Sequence, residues 1–222
     1  MSAYFITGTD TEIGKTFVTC TLLHAARARG LTAVGMKPVA AGAEMIGGEL
    51  INEDAARLRD AGSFDPGLAL LNPYCLSSPI APHIAAAEEG VRIEAHRILE
   101  AFGALTRQAE VVLVEGVGGF RVPLAAGYDT ADLACDLALP VILVVGMRLG
   151  CINHALLTAE AIQGRGLRLA GWIANQVDPA MLRFQENLDA LRLRMEAPLL
   201  GVVPFQADGE AARAAAGVSL PA

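Results

Sequence analysis

A chain of 222 residues, 53% of them hydrophobic and 18% charged, is long enough to bury a sizeable core and too apolar to be disordered. Its net charge of −7 provides no general basic surface for nucleic acid or an anionic membrane, although a local cluster of donors can still hold a nucleotide phosphate. The longest apolar runs are strand-sized, short of the ~20 residues of a membrane span. Asp10 and Glu12 come too early for a signal peptide, so a cytoplasmic protein is expected. The four cysteines, Cys20, Cys75, Cys135 and Cys151, are scattered with no Cys-x-x-Cys pair. They read as free thiols in a reducing compartment, with neither a zinc site nor a disulfide framework.

Apolar runs alternate with helical patterns along most of the sequence. The first run, 3–6, reads as a strand, and an amphipathic stretch over 17–29 reads as a helix. Between them lies Gly8-Thr9-Asp10-Thr11-Glu12-Ile13-Gly14-Lys15-Thr16. Strand, glycine-bounded loop and helix make a phosphate cradle, with loop N–H groups and the positive helix end facing an anion. Lys15 reaches the terminal phosphates, and the Thr16 hydroxyl takes a place on Mg2+. Counting back from Lys15, the common Gly-x-x-x-x-Gly-Lys-Thr spacing puts glycine at position 9. Here that residue is Thr9 and the glycine is Gly8, so the loop is a variant with five residues between its glycines.

The second strand, 32–36, ends at Lys37-Pro38, and the Ala- and Gly-rich stretch 38–50 reads as a loop. A helix is expected over 51–61. The 62–92 region is an irregular insertion with one short strand over 74–76, and a helix follows over 93–108. The third strand, 111–114, ends at Glu115 and Gly116-Val117-Gly118-Gly119. Then come a helix over 130–138, a strand over 141–145 ending at Gly146, and a helix over 152–164 opened by Gly150-Cys151-Ile152-Asn153-His154. The fifth strand, 169–174, runs into Asn175-Gln176-Val177-Asp178, a helix covers 180–195, and the sixth strand, 199–203, ends at Pro204. The Ala-rich tail beyond Phe205 reads as a loose helix. Continuous Val, Ile and Leu runs without in–out alternation indicate a sheet covered on both faces. The chain is therefore an α/β protein with a doubly wound, mainly parallel sheet of the P-loop nucleoside triphosphate hydrolase type, expected as one domain over 1–222.

In such sheets ligands sit outside the carboxyl ends of the strands, and the chemically interesting residues gather there. A strand-end lysine such as Lys37 is often merely solvated, but beside a phosphate loop a second cation near the γ-phosphate has a use in phosphoryl transfer. Glu115, at the tip of a buried strand, suits a metal, directly or through water. Asp54 is either a third metal group or a helix-start acid complementing the dipole. Thr16, Asp54 and Glu115 together make a hard, oxygen-rich site suited to Mg2+. The start of the helix at Gly150 is either a second anion site or an ordinary helix start capped by Asn153. His154 and His83 read as structural. Asn175 and the residues after it can read a purine edge through amide donors and acceptors.

Taken together, the phosphate loop, Gly35-Met36-Lys37-Pro38-Val39, Asn72-Pro73-Tyr74, Val114-Glu115-Gly116-Val117-Gly118-Gly119, Leu149-Gly150-Cys151-Ile152-Asn153-His154 and Ala170-Gly171-Trp172-Ile173-Ala174-Asn175 closely resemble the dethiobiotin synthetase family from residue 3 to about 205. The family forms the ureido ring of dethiobiotin from 7,8-diaminononanoate, CO2 and ATP, with Mg2+, as a homodimer. The resemblance implies that Glu12, Ile13, Gly14, Lys15, Thr16 and Phe17 hold the ATP phosphates, with Gly116, Val117 and Gly118 also at the nucleotide. It gives Thr16, Asp54 and Glu115 to Mg2+, and makes Lys37 the catalytic lysine. Asn175 and Gln176 would contact adenine, with Pro204, Phe205 and Gln206 lining the same end. Thr11, Lys37, Ala41, Gly150, Cys151 and Asn153 would meet the substrate, the last three binding its carboxylate across the dimer interface.

The implied reaction has three steps. An amine takes up CO2 as a carbamate, the carbamate oxygen attacks the γ-phosphate, and the neighbouring amine closes the ring and expels phosphate. Lys15, Lys37 and Mg2+ would offset the crowded anions, and Thr11 would bond the carbamate. Two positions depart from the family pattern: Ala41 stands where Ser or Thr is frequent, and Gln176 where some members have Asp. Two rivals share the fold. One is a partition- or nitrogenase-type ATPase switch, which carries a lysine five residues before the loop lysine, where this chain has Asp10. The other is an amide-forming ligase domain that activates a carboxylate with ATP.

Overall fold

The structure is a computed structural model that describes residues 1–205 and 210–221. In chain order it contains β1 (Ser2–Gly8), α1 (Lys15–Ala28), β2 (Ala33–Met36), β3 (Val39–Ala41), β4 (Ala43–Ile46), β5 (Glu49–Asn52), α2 (Glu53–Ala61), α3 (Leu68–Leu71), β6 (Tyr74–Leu76), α4 (Pro82–Glu88), α5 (Ala95–Leu105) and β7 (Val111–Glu115). Next come β8 (Pro123–Ala125), β9 (Tyr128–Asp129), α6 (Thr130–Leu137), β10 (Val141–Met147), α7 (Cys151–Gly164), β11 (Leu169–Gln176), α8 (Phe184–Arg194), β12 (Leu199–Val203) and α9 (Ala211–Ala214).

Six strands form one sheet in the order β12-β11-β10-β1-β7-β2, every neighbouring pair parallel. The strand residues are apolar in both alternating sets because each set has a helical layer over it. On one face Phe5, Val34, Val112 and Val114 pack with Ile98 and Leu105 of α5 and Leu133 of α6. Farther along that face Leu143, Val145 and Trp172 meet Ala155 of α7 and Leu188 of α8. On the opposite face Tyr4, Ile6, Leu113 and Val144 pack with Val18, Leu22 and Leu23 of α1, Leu58 of α2 and Ala214 of α9. β1 lies between β7 and β10, so the chain turns to one side of it for β2 and β7 and to the other for β10, β11 and β12. That reversal opens the crevice at the carboxyl end of β1.

The strands and principal helices match the sequence-based expectation to within a few residues, but the connections differ. The 38–50 stretch is not a loop. Val39–Ala41 pairs in parallel with Tyr74–Leu76, and β4 and β5 form an antiparallel hairpin that turns at Gly47-Gly48. Both turn glycines have positive φ, 62° and 90°, the geometry of a two-residue hairpin turn. Consequently the second helix begins at Glu53, since Ile51 and Asn52 belong to the hairpin. The 62–92 insertion holds two short helices as well as β6, and the 120–130 connection forms a small hairpin of β8 and β9. The helix expected from 180 starts at Phe184, after Arg183 takes a left-handed φ of 58°.

Trp172 is the largest fully buried side chain and fills the space between the sheet and α7–α8. Trp172→Ala is expected to cost about 3–5 kcal/mol by the cavity it leaves. Because this is the only tryptophan, urea unfolding should be tracked by circular dichroism. A loss below about 1 kcal/mol would show that Trp172 is not a core anchor.

Candidate active site

The crevice is lined by the residues at and just beyond the strand ends. These are residues 9–14 after β1, Lys37 after β2, Glu115 at the end of β7, Gly146 and Met147 closing β10, Asn175 and Gln176 closing β11, and Pro204 after β12. The loop after β1 is held by its own side chains. Ile13 is 1% exposed and sits against the positions of Gly8 and Gly146. A Cβ on Gly8 would lie 2.9 Å from both Ile13 Cδ1 and Lys15 Cδ, and one on Gly146 would lie 2.6 Å from Ile13 Cγ2. Glycine at position 8 is thus the clearance that lets Ile13 and Lys15 fold back over the strand. Thr9 takes a different part, its N–H donating to the Val144 carbonyl at 3.0 Å and its hydroxyl accepting from the Gly146 N–H at 3.4 Å. Asn175 Nδ2 donates to the Ile13 carbonyl at 2.8 Å. A Cβ on Gly14 would fall 2.3 Å from that nitrogen, and Gly14 also has φ 78°, so glycine is required there twice over. Glu12 adopts φ 58° and is exposed, while Phe17 is half-buried on the first turn of α1.

Lys15 is 7% exposed, and its Nζ donates to the Asp10 carbonyl at 2.9 Å. Burial, and then repulsion from Lys37, lower its pKa to about 8. Asp10 Oδ1 accepts from the Thr11 N–H at 2.8 Å, and Asp10 Oδ2 pairs with Arg148 at 2.5 Å. Arg148 ties the phosphate loop to the segment leading into α7. Sequence reasoning missed it, and the only signal was a basic residue two places before Gly150.

Beside the loop lies a buried cluster. Lys37 Nζ donates to Glu115 Oε1 at 2.6 Å, to Asp54 Oδ2 at 2.9 Å and to the Gly116 carbonyl at 3.2 Å. The Thr16 hydroxyl donates to the same Glu115 oxygen at 2.7 Å. Lys37 is held at both backbone ends, its N–H donating to Leu71 and its carbonyl accepting from Asn72 Nδ2 at 2.6 Å. Asp54 is placed by Asn52, whose side chain caps α2 through the Asp54 and Ala55 N–H groups and donates to the Gly42 carbonyl at 2.8 Å. Burial alone would pull the Lys37 pKa down, but Glu115 and Asp54 overcome it and raise the value, so the ammonium persists. Burial would likewise raise the Asp54 pKa, but Lys37 brings it below the ordinary carboxylate value.

Glu115 is fully buried and its Oε2 has no hydrogen-bond partner among the described residues. A buried carboxylate oxygen left open, beside a second carboxylate and a hydroxyl, fits Mg2+, which takes hard oxygen donors and completes its shell with water and phosphate oxygens. The donor set is small: no group of three or more His, Cys, Asp or Glu side chains able to hold a metal occurs among the described residues.

Other expected residues are placed less directly. Gly118 has φ 64°, and a Cβ on it would lie 3.4 Å from Thr11 Oγ1, which puts Thr11 in contact with the Gly116–Gly118 turn. Ala41 is half-buried, and its carbonyl accepts weakly from Asn52 Nδ2 at 3.4 Å. Gly150, at φ 95°, precedes α7, and no side chain caps that helix, so Asn153 is not its cap. Cys151 is buried, which leaves its backbone as the group nearest the surface, and Asn153 and His154 are exposed. Asn175 directs its amide nitrogen to the phosphate loop, Gln176 Oε1 accepts from the Phe205 N–H at 3.4 Å, and Asp178 closes a local turn onto Ala180. Pro204 and Phe205 are exposed at this end, and Gln206 lies outside the described residues. All four cysteines are free, and no described helix is long and apolar enough to cross a membrane.

A parallel sheet with the glycine loop at the carboxyl end of its central strand, Gly-Lys-Thr opening α1 and an acid ending a neighbouring strand is the P-loop nucleoside triphosphatase fold. Solved structures agree. The chain superposes on MinD from Pyrococcus horikoshii in complex with Mg-ADP with TM-score 0.55 and 19% identity, covering 92% of this chain and 82% of that one. With a ParA family ATPase from Chlorobium tepidum the TM-score is 0.58 at 11% identity, covering 98% and 90%. At these identities the likeness is of fold alone. The family described as AAA domain matches residues 2–213. The ATP-dependent dethiobiotin synthetase BioD of Aromatoleum aromaticum is 71% identical over 99% of this chain and 97% of its own. That of Xanthomonas oryzae pv. oryzae is 55% identical over 99% and 98%. The chain belongs to the ATP-dependent dethiobiotin synthetase family.

A Lys15 that meets a bound triphosphate is expected to make nucleotide binding pH-dependent. In the free protein about half of it is neutral near pH 8, and a triphosphate beside it favours the charged form, so binding takes up a proton as pH rises above that value. The unbound fold, conversely, gains stability from this residue between about pH 8 and 10.5, where the unfolded chain holds the extra proton. Calorimetry with a non-hydrolysable ATP analogue in two buffers of different ionisation enthalpy should show proton uptake at pH 9 that is absent from Lys15→Arg. Buffer-independent heats at pH 9 would contradict this.

Proposed function

We propose that the chain is a single catalytic domain over 1–222 that closes the ureido ring of dethiobiotin from 7,8-diaminononanoate, CO2 and ATP. It does so as a cytoplasmic homodimer with Mg2+. The observation that carries the reading is the buried Lys37–Glu115–Asp54–Thr16 cluster beside the phosphate loop, with one Glu115 oxygen open. Those contacts support reading Lys37 as the catalytic lysine and the three oxygen donors as a hard metal site beside the terminal phosphate.

Residues Glu12 to Phe17 hold the phosphates through loop N–H groups and Lys15, with Gly116, Val117 and Gly118 beside the loop at the nucleotide. Thr16, Asp54 and Glu115 hold Mg2+, which supplies charge neutralisation for phosphoryl transfer. Gln176, Pro204, Phe205 and Gln206 form the adenine end. Asn175 serves there through its oxygen while its nitrogen braces the loop. The substrate lies between Thr11, Lys37 and Ala41 on one side and the Gly150, Cys151 and Asn153 helix start on the other. The N–H groups of that helix start meet the substrate carboxylate. Ala41 contributes only backbone and a methyl group. Leu149, Asn153 and Leu157 are spaced by four, and Leu149 and Leu157 are exposed apolar groups, which suits an interface beside that helix start.

One substrate amine adds to CO2 to form a carbamate, which Thr11 and Lys37 orient. The carbamate oxygen attacks the γ-phosphorus in line, and ADP leaves while Lys15 and Lys37 offset the developing charge. The second amine then attacks the carbamoyl carbon, closing the five-membered ring as phosphate departs. A partner-regulated switch is not favoured, because the position five residues before Lys15 is Asp10, whose carboxylate is engaged by Arg148.

ADP release by the purified protein is expected to require both bicarbonate and diaminononanoate, and Lys37→Gln is expected to lower kcat at least about 100-fold. ADP release that ignores diaminononanoate would contradict the reaction, and full activity in Lys37→Gln would remove that residue from it.

A further inference from the structure

We propose that Lys37 is a resident counter-ion that holds the divalent-cation position closed in the nucleotide-free protein, so that metal enters together with nucleotide rather than before it. This rests on the reading of Thr16, Asp54 and Glu115 as the metal site.

The geometry is direct. The two carboxylates of the metal set, 61 residues apart in sequence, are bridged by one ammonium at 2.6 and 2.9 Å. The third metal group, the Thr16 hydroxyl, points onto the oxygen that Lys37 already uses. Lys37 is 3% exposed and Glu115 is fully buried, so an ionised Glu115 without a cation beside it would carry a large desolvation cost. In the free protein Lys37 meets that need. A divalent ion on the open Glu115 Oε2 would share one carboxylate with the ammonium on Oε1, and the two cations would repel each other across it.

Charge counting points the same way. Within the crevice Lys15 and Lys37 stand against Asp54 and Glu115, and Asp10 is matched by Arg148, so the charges balance as they are. A divalent cation alone would leave a buried excess of two positive charges. A triphosphate brings the negative charge that lets both lysines and the metal coexist. Lys15 is poised for the same exchange, its Nζ parked on the Asp10 carbonyl within the loop.

The test uses Mn2+ as the probe, its free concentration measured by electron paramagnetic resonance, on the full chain without nucleotide. Lys37→Gln is expected to bind Mn2+ at least about tenfold more tightly than the unaltered protein, since two carboxylates then lack their cation. Lys37→Arg, which keeps the charge, should show no such gain, and the gain should vanish in the Lys37→Gln, Asp54→Asn double variant. Thermal unfolding gives a second readout: Mn2+ should raise the Tm of Lys37→Gln and leave that of the unaltered protein unchanged.

No gain in Lys37→Gln, or a gain that survives Asp54→Asn, overturns the proposal. Should Lys37→Gln and Lys37→Met both fail to fold even with Mn2+ present, a metal cannot stand in for the ammonium and the proposal is likewise overturned. If the unaltered protein binds no Mn2+ even with a non-hydrolysable ATP analogue, the metal-site reading itself falls, and the proposal with it. Binding with the analogue but no gain in Lys37→Gln leaves that reading intact and removes only the counter-ion role.

Discussion

A buried ammonium between two carboxylates is the constraint on which the site depends. Lys37 follows β2, Glu115 ends β7, and Asp54 lies in the first turn of α2, so the cluster ties α2 to two strands that are neighbours in the sheet. Buried ion pairs are poor sources of net stability, because desolvation consumes most of the Coulomb gain. Their value here is positional: each partner is costly to leave unpaired, so the carboxyl ends of β2 and β7 are held in register with the first turn of α2. The helper residues have the same character. Asn72 and Asn52 commit their amides to backbone groups around Lys37 and Asp54, and fix where those side chains start from.

The phosphate loop is organised by a different means, steric clearance. Ile13 is an apolar plug in an otherwise polar turn, and it fits only because Gly8 and Gly146 lack a Cβ. Asn175, from the far side of β10, comes close enough to Gly14 to exclude any side chain there. The loop is therefore held in shape by its own packing and by Asn175. Arg148 and Asp10 add a tether between this loop and the start of α7, so the phosphate end and the expected carboxylate end of the crevice are linked through one ion pair.

Much of this was legible in the sequence, for identifiable reasons. Strands covered on both faces advertise themselves as Val, Ile and Leu runs, and Gly-Lys-Thr after such a run has few other uses. The displaced glycine at position 8 stood out as an anomaly, but its cause, room for Ile13, depends on Gly146, which is distant in sequence. The hairpin of β4 and β5 was lost because an Ala- and Gly-rich stretch has no apolar alternation, although Gly47-Gly48 was a usable turn signal. Thr16, Asp54 and Glu115 were expected to converge, and they do. That Lys37 would also bridge Asp54 and Glu115 required knowing that β2 and β7 are neighbours. Asn175, expected at a base edge, also braces the loop through its amide nitrogen, a contact across 162 residues that no local pattern announces.

The central claim is that one cation position in this crevice is filled from within the chain until nucleotide arrives. Its most direct test is a high-resolution crystal structure of the nucleotide-free protein grown in Mg2+. The expected result is Lys37 Nζ bridging Glu115 and Asp54 with no metal between them. Mg2+ bound to those two carboxylates, with Lys37 turned away, would contradict the account.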